Sequence, residues 1–210
     1  VRAWWTTHHP EWPIVEGFHT DGLFNRSAAI NQAASNAGDW DVAIIIDADT
    51  LSDPTAIRLG ADMAEWSGCM VVCHDRRVML SKHGTKRILR GYRHSWHTRN
   101  FVERTWFESC SSAVAVSRSV FQRAGGFDER FVGWGREDSA FRIACETVTG
   151  KPMLRVSSEA WHLWHPVAEG TQHGHPDRAL NDQRFEQYQK AAGDVARVDS
   201  LTGGAWLFHG

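Results

Sequence analysis

Asp41-Val42-Ala43-Ile44-Ile45-Ile46-Asp47-Ala48-Asp49 is the stretch on which the fold turns. Its apolar, largely β-branched body has no polar alternation, which predicts a strand buried on both faces. It ends in two carboxylates one residue apart. In parallel α/β sheets ligands bind beyond the carboxyl ends of the strands. Asp47 and Asp49 therefore sit where they can bind a hard divalent cation beside a diphosphate, directly or through water. The competing reading is that they solvate a turn, because Asp-x-Asp is short and common.

Outward from this strand, the pattern alternates. Asn25 to Ala37 is alanine-rich and predicts a helix stopped by Gly38. Asp53-Pro54 supplies an N-cap and a first-turn proline for a helix reaching about Trp66. Cys69 to Cys73 and Ser112 to Val116 predict short apolar strands. The second is followed by a helix over Ser117 to Ala124, ended by Gly125-Gly126. Helices are expected over Glu137 to Glu146 and Asn181 to Ala192, and a short strand over Ile14 to Phe18. The opening residues, Val1 to His8, read as the end of a helix closed by Pro10 and Pro13. Strands alternating with helices predict an α/β fold with a mostly parallel sheet. A sheet of that kind normally opens with a strand ahead of its first helix. That strand is expected to be missing from this chain, as in a fragment, or the sheet is completed in another way. The tail from Leu201 to Gly210, with Trp206 and Phe208, is expected to fold back onto the body.

At 210 residues the chain suits one domain, divided here into a first half, 1–116, and a second, 117–210. A formal charge of −2 does not suggest sequence-independent nucleic-acid binding. The stretch Lys82 to Arg104 is locally basic, and reads first as a solvated face. Cys69, Cys73, Cys110 and Cys145 form no CxxC pair, which argues against a disulfide framework or structural zinc and for reduced, buried thiols. Val42 to Ile46, the longest apolar run, is too short to span a bilayer, and no signal peptide is visible. A soluble, cytoplasmic enzyme is the expectation. Eleven tryptophans are an unusual number; some must be core, while others can serve as platforms for sugars or bases.

Three further clusters carry chemistry. Gly133-Trp134-Gly135-Arg136-Glu137-Asp138 places a tryptophan between glycines and two acids at a helix start. The helix N-terminus favours ionised carboxylates, so either acid can act as a base, or both simply cap the helix. The glycines would leave one face of Trp134 open to a ligand. Trp161-His162-Leu163-Trp164-His165-Pro166 sets two histidines three apart at an expected strand end, where one can ligate a metal; a satisfied core or surface histidine is the bland alternative. In Phe24-Asn25-Arg26-Ser27, an arginine at a helix start suits anion binding, against an ordinary N-cap by Asn25 or Ser27.

Taken in order, Phe24-Asn25-Arg26-Ser27-Ala28-Ala29-Ile30-Asn31, Asp47-Ala48-Asp49, Gly126-Phe127-Asp128, Gly133 to Asp138 and His162 resemble a GT-A glycosyltransferase. The pattern is similar to glycosyltransferase family 2 and the β-1,4-galactosyltransferases, and more distantly to the polypeptide N-acetylgalactosaminyltransferases. It covers roughly residues 14 to 166. The resemblance implies a Rossmann-like nucleotide-diphospho-sugar transferase acting on a nucleotide-sugar donor, a UDP-sugar. Arg26 and Asn25 would contact the donor, and Asp47 would lie near its ribose and the metal. Asp49 would ligate that metal, manganese or else magnesium. Trp134 would line the donor-sugar and acceptor pocket, with Gly135 beside it. Glu137 would hold the acceptor and Asp138 would be the base. His162 would be the downstream metal ligand, with His165 in competition. Ser139 stands where the galactosyltransferases carry a third acid, and Ser111-Ser112 where they carry two glycines, so galactose is not implied. The acceptor is left open among a glycan, a protein side chain, a lipid-linked glycan and a modified base in DNA. Two rivals are a non-catalytic sugar-binding module, which needs no base, and a nucleotidyltransferase, whose glycine-rich phosphate loop is not visible.

Overall fold

The computed structural model describes residues 1–90, 101–107, 109–166 and 176–202. Along the chain run α1 (Arg2–His8), α2 (Arg26–Asn36), β1 (Val42–Ile46), β2 (Thr50–Ser52), α3 (Pro54–Ser67), β3 (Val71–Val72), β4 (Arg76–Leu80) and α4 (Lys82–Leu89). They are followed by β5 (Val102–Phe107), β6 (Ala113–Ser117), α5 (Arg118–Arg123), α6 (Glu137–Thr149), β7 (Leu154–Arg155), β8 (Glu159–His162), α7 (Pro176–Ala191) and α8 (Val195–Thr202).

Among the described residues the strands form two four-stranded sheets, ordered β1-β6-β3-β7 and β2-β8-β4-β5. The first forms the core of the molecule, with its inner strands β3 and β6 buried on both sides. Val72, Val114 and Val116 pack with Phe121, Phe127, Phe141 and Tyr188 from the helical side. Their sequence neighbours Val71, Ala113 and Ala115 turn the other way and pack with Trp5, Ile57 and Ala64 of α1 and α3. The strand period of two assigns each residue to one layer or the other. Gly60 of α3 shows how tight the second layer is, since a Cβ there would come within 2.4 Å of Cys73 Sγ. Truncating Phe141 to alanine in the first layer should cost about 3–5 kcal/mol.

The α/β class holds, but the sheets are mixed rather than mostly parallel. β6 runs antiparallel to both β1 and β3, β8 antiparallel to β2, and β4 antiparallel to β5. The parallel pairs are β3–β7 and β4–β8. An apolar run shows that a strand is buried but not which way its neighbour runs. β1 is covered on both faces as expected, Ala43 and Ile45 packing with the first layer and Val42, Ile44 and Ile46 with the second, but it stays half-buried because it stands at the end of the strand order. Ile14 to Phe18 is not a strand. It crosses α2, where Phe18 N donates to Gln32 Oε1 at 2.8 Å and Gly17 lies so close to the Ala29 carbonyl that no side chain would fit. The four cysteines are free, and all but the half-buried Cys110 are buried. Trp206 and Phe208 lie outside the described residues. Among those residues no helix is long and apolar enough to cross a membrane.

Candidate active site

The C-terminal end of β1 leads into a tight turn in which Thr50 N donates to Asp47 O at 2.9 Å. That turn delivers Asp49 to the second sheet, where Thr50 pairs with His162 across β2 and β8 and Leu163 N donates to Asp49 O at 2.8 Å. Asp49 Oδ2 then lies 3.3 Å from His162 Nε2 and 3.1 Å from His165 Nε2. Ligand atoms from all three residues fall within 4.8 Å of one another. Two ligands on one ion at about 2.1 Å each are separated by about 3–3.5 Å at tetrahedral or octahedral angles, which is the spacing of Asp49 Oδ2 from each imidazole nitrogen. His165 Nδ1 is 2.8 Å from the Pro166 carbonyl; donation there leaves the Nε2 lone pair facing Asp49. Burial, only partly countered by Asp49, lowers the pKa of His162, which keeps its imidazole neutral and able to ligate. Two imidazoles with one carboxylate suit a transition metal better than magnesium or calcium.

Asp47 is not part of that group. Its Oδ1 accepts from Arg26 Nε at 2.8 Å and pairs with Nη2 at 2.8 Å, while Arg26 Nη1 donates to Asp138 Oδ1 at 2.7 Å. Glu137 Oε1 stands 3.9 Å from the same nitrogen. One guanidinium thus bridges the end of β1 to the first turn of α6. Burial works against charge on all three partners. For Arg26 the surrounding carboxylates of Asp138, Asp47 and Glu137 prevail and raise its pKa further. For Asp47, burial is outweighed by Arg26, with help from Arg77 and His162, and the carboxyl is held below its ordinary range. For Asp138 burial prevails over Arg26 and is reinforced by Glu137 and Asp47, so the acid is pushed up to about 7. Two carboxylates on one cation are therefore driven apart, one kept ionised and one poised near neutrality.

Arg26 meets α6 because the N-terminus of α2 is sewn to the loop that precedes α6. Asn25 caps α2, accepting from Ala28 N at 3.0 Å, and its Nδ2 donates to Glu129 O at 2.6 Å. Asn31 exchanges hydrogen bonds with the Phe127 backbone at 2.8 and 2.9 Å, and Gly133 N donates to Phe24 O at 3.1 Å. The amide of Asn25, expected to reach a donor, works instead inside the protein.

Beyond it, Trp134 is 47 % exposed, and Arg178 of α7 lies over its ring at 4.5 Å, so one face is covered by a cation. Gly135, at φ +106°, allows this approach; a Cβ there would meet Arg178 Nη1 at 2.5 Å. Arg136 takes φ +80° at the N-cap of α6 and is held by Asp182 at 2.6 Å. Arg136 makes no side-chain cap there, and the carboxylates of Glu137 and Asp138 in the first turn both face Arg26. Ser139, at the position of the third acid, sits 3.7 Å from Cys110 Sγ.

Further residues shape this region: Ser112 stands at a position where the resemblance has glycine, while nothing in the sequence singled out His74 or Arg77. Ser112 adopts φ +76° ahead of β6, a backbone suited to glycine, and its carbonyl accepts from Asp47 N at 3.1 Å. His74 Nε2 lies 2.8 Å from the carbonyl of Ser111 next to it. Arg77 on β4 acts electrostatically on both Asp47 and His162. The sequence does not mark the side to which Arg77 points, because Val78, Met79 and Leu80 are consecutive apolar residues with no alternation.

Residues 94–148 match the family described as the N-terminal domain of galactosyltransferase, which supports a glycosyltransferase-like domain. The match is a little over a quarter of the chain; it includes Trp134, Glu137 and Asp138 and excludes Arg26, Asp49, His162 and His165. No curated protein matches the sequence.

Proposed function

We propose that the chain is a divalent-metal-dependent, inverting glycosyltransferase. It would move a sugar from a UDP-sugar, or another nucleotide-diphosphate sugar, to an acceptor hydroxyl. The observation that carries this reading is the convergence of Asp49, His162 and His165, far apart in sequence, within 4.8 Å. Asp47, two residues from Asp49, joins it through Arg26 to Asp138. Asp49, His162 and His165 would hold the ion, manganese in preference to magnesium, which would supply positive charge to offset that of the leaving diphosphate.

In the transfer the acceptor oxygen bonds to the anomeric carbon as the bond from that carbon to the diphosphate oxygen breaks. Asp138 takes the acceptor proton; its carboxyl, poised near 7, is matched to that task. Arg26 keeps Asp138 aimed, and Asp47 keeps Arg26 aimed. Trp134, Gly135 and Glu137 line the acceptor side. In this reading Arg26 orients the base rather than gripping the donor phosphates, because its guanidinium is already held by carboxylates.

The test is release of nucleotide diphosphate from a panel of nucleotide sugars with manganese, with candidate acceptors. Turnover should stop in excess chelator and return with manganese. Asp138→Asn should abolish transfer while Mn2+–UDP binding persists. Parental turnover by Asp138→Asn would remove the base, and full activity in chelator would remove the metal. A non-catalytic module would bind Mn2+–UDP yet release nothing from any donor.

A further inference from the structure

Charge in this chain is segregated. Between positions 76 and 107 the sequence holds nine lysines and arginines and a single acid, Glu103, although the whole chain carries −2. The fold sets β4 and β5, the described strands of this segment, in the same sheet as His162. In the second sheet Thr50, His162, Met79 and Arg104 are successive cross-strand partners, and so share one face. The next row on that face is Ser52, Ala160, Arg77 and Trp106. Arg104 and Trp106 therefore extend the face of His162 to the open edge of the sheet, two strands or roughly 10 Å away. There Trp106 is 49 % exposed, with the Arg104 guanidinium 5.0 Å from its ring. From another side, α4 carries Lys82 and Lys86 and is capped by Arg90, at a spacing of four and all exposed. Lys82 rests on Trp164, the neighbour of His165, at 4.9 Å, and Thr85 Oγ1 accepts from Trp164 N at 2.7 Å.

The geometry points to a single-stranded nucleic acid as the acceptor, docked along β5 with a base on Trp106 and a backbone phosphate on Arg104. This rests on the glycosyltransferase reading and names the substrate class of the same site. Cations supply the affinity for phosphate, and a half-exposed indole beside a guanidinium is a stacking platform for an unpaired base. A duplex offers no open base face to such a platform. An anionic bilayer fits less well, since Trp106 and Phe107 are consecutive strand residues on opposite faces of the sheet and cannot enter a membrane together.

The experiment is fluorescence anisotropy of a fluorescein-labelled twenty-nucleotide oligothymidylate against the full chain, over a series of salt concentrations. Binding that weakens steeply with salt is expected. Trp106→Ala should weaken it roughly ten- to a hundredfold, the loss of one stacked base, and Arg104→Glu should do at least as much. Both side chains are exposed, so both variants should keep the parental unfolding temperature and the thermal shift with Mn2+–UDP. The docking proposal is overturned by absent binding, by binding indifferent to Trp106→Ala and Arg104→Glu, or by tighter binding to duplex or to phosphatidylserine vesicles. If the oligonucleotide fails to bind while Mn2+–UDP still stabilises the chain, the docking proposal alone falls. Should the oligonucleotide bind and no donor release diphosphate, the glycosyltransferase reading falls instead.

Discussion

Replacing Arg26 with alanine is the sharpest perturbation of this site. The side chain is largely buried and holds Asp47 at 2.8 Å and Asp138 at 2.7 Å, with Glu137 at 3.9 Å. Its removal leaves carboxylates facing one another in a poorly solvated site. Breaking a buried ion pair by deleting one partner costs about 3–5 kcal/mol. For a domain of this size each kcal/mol moves the unfolding midpoint by about 2–4 °C, so Arg26→Ala should melt roughly 6–20 °C lower at pH 7–8. Arg26 is also the main group restraining the rise of the Asp138 pKa above its ordinary range. Without it, Asp138 should hold its proton to higher pH, and the rise of turnover with pH should move in the alkaline direction. The deficit should shrink on acidification, as protons neutralise the stranded acids. Arg26→Lys keeps the charge but cannot reach both oxygens with a planar fork, and should recover part of the stability and little of the turnover. Adding Asp138→Asn to Arg26→Ala should restore stability relative to Arg26→Ala alone, a coupling that a double-mutant cycle reads directly. Calorimetry across pH 5–8 gives the stabilities, and nucleotide release gives the rates. An Arg26→Ala protein with the parental midpoint and an unmoved pH profile would show that the bridge is not what holds Asp138.

Other consequences can be checked alongside. His162→Ala and His165→Ala should each weaken manganese binding, read by thermal shift, by more than the roughly 10–100-fold that losing an outer-shell partner costs; a variant with unchanged affinity would exclude that histidine as a ligand. Because the folded-state pKa of Asp138 is raised to about 7, its protonated form favours the fold, and that stabilisation is lost as pH climbs from the ordinary carboxylate range through about 7. The stability of Asp138→Asn relative to the parent should therefore grow over that window and level off above it, while parental turnover rises through the same range; a difference flat in pH would contradict the shift. Ser112→Gly should stabilise the chain by about 1 kcal/mol by relieving a left-handed serine, whereas Ser112→Ala should not; a lower midpoint for the glycine variant would refute the strain.

Local chemistry made several elements readable before any coordinates. Asn25 and Asp53 cap their helices as their residue types require, and Pro54 opens α3. The strand ending in Asp47 and the pair His162 and His165 at a strand end were equally legible. Short strands such as β2 and β7 were not, because two or three residues carry no periodicity and exist only through a partner.

By itself, then, the order of residues determined which segments are helical or apolar and which acids and histidines stand at their ends, since those properties depend on near neighbours. Tertiary structure alone decided strand direction, and how the two acids of Asp47-Ala48-Asp49 divide their work. A tight turn sends Asp49 to two histidines more than a hundred residues away. Asp47 stays with an arginine held in place by the loop before α6. The partners in each case come from other segments, and only packing brings them within reach.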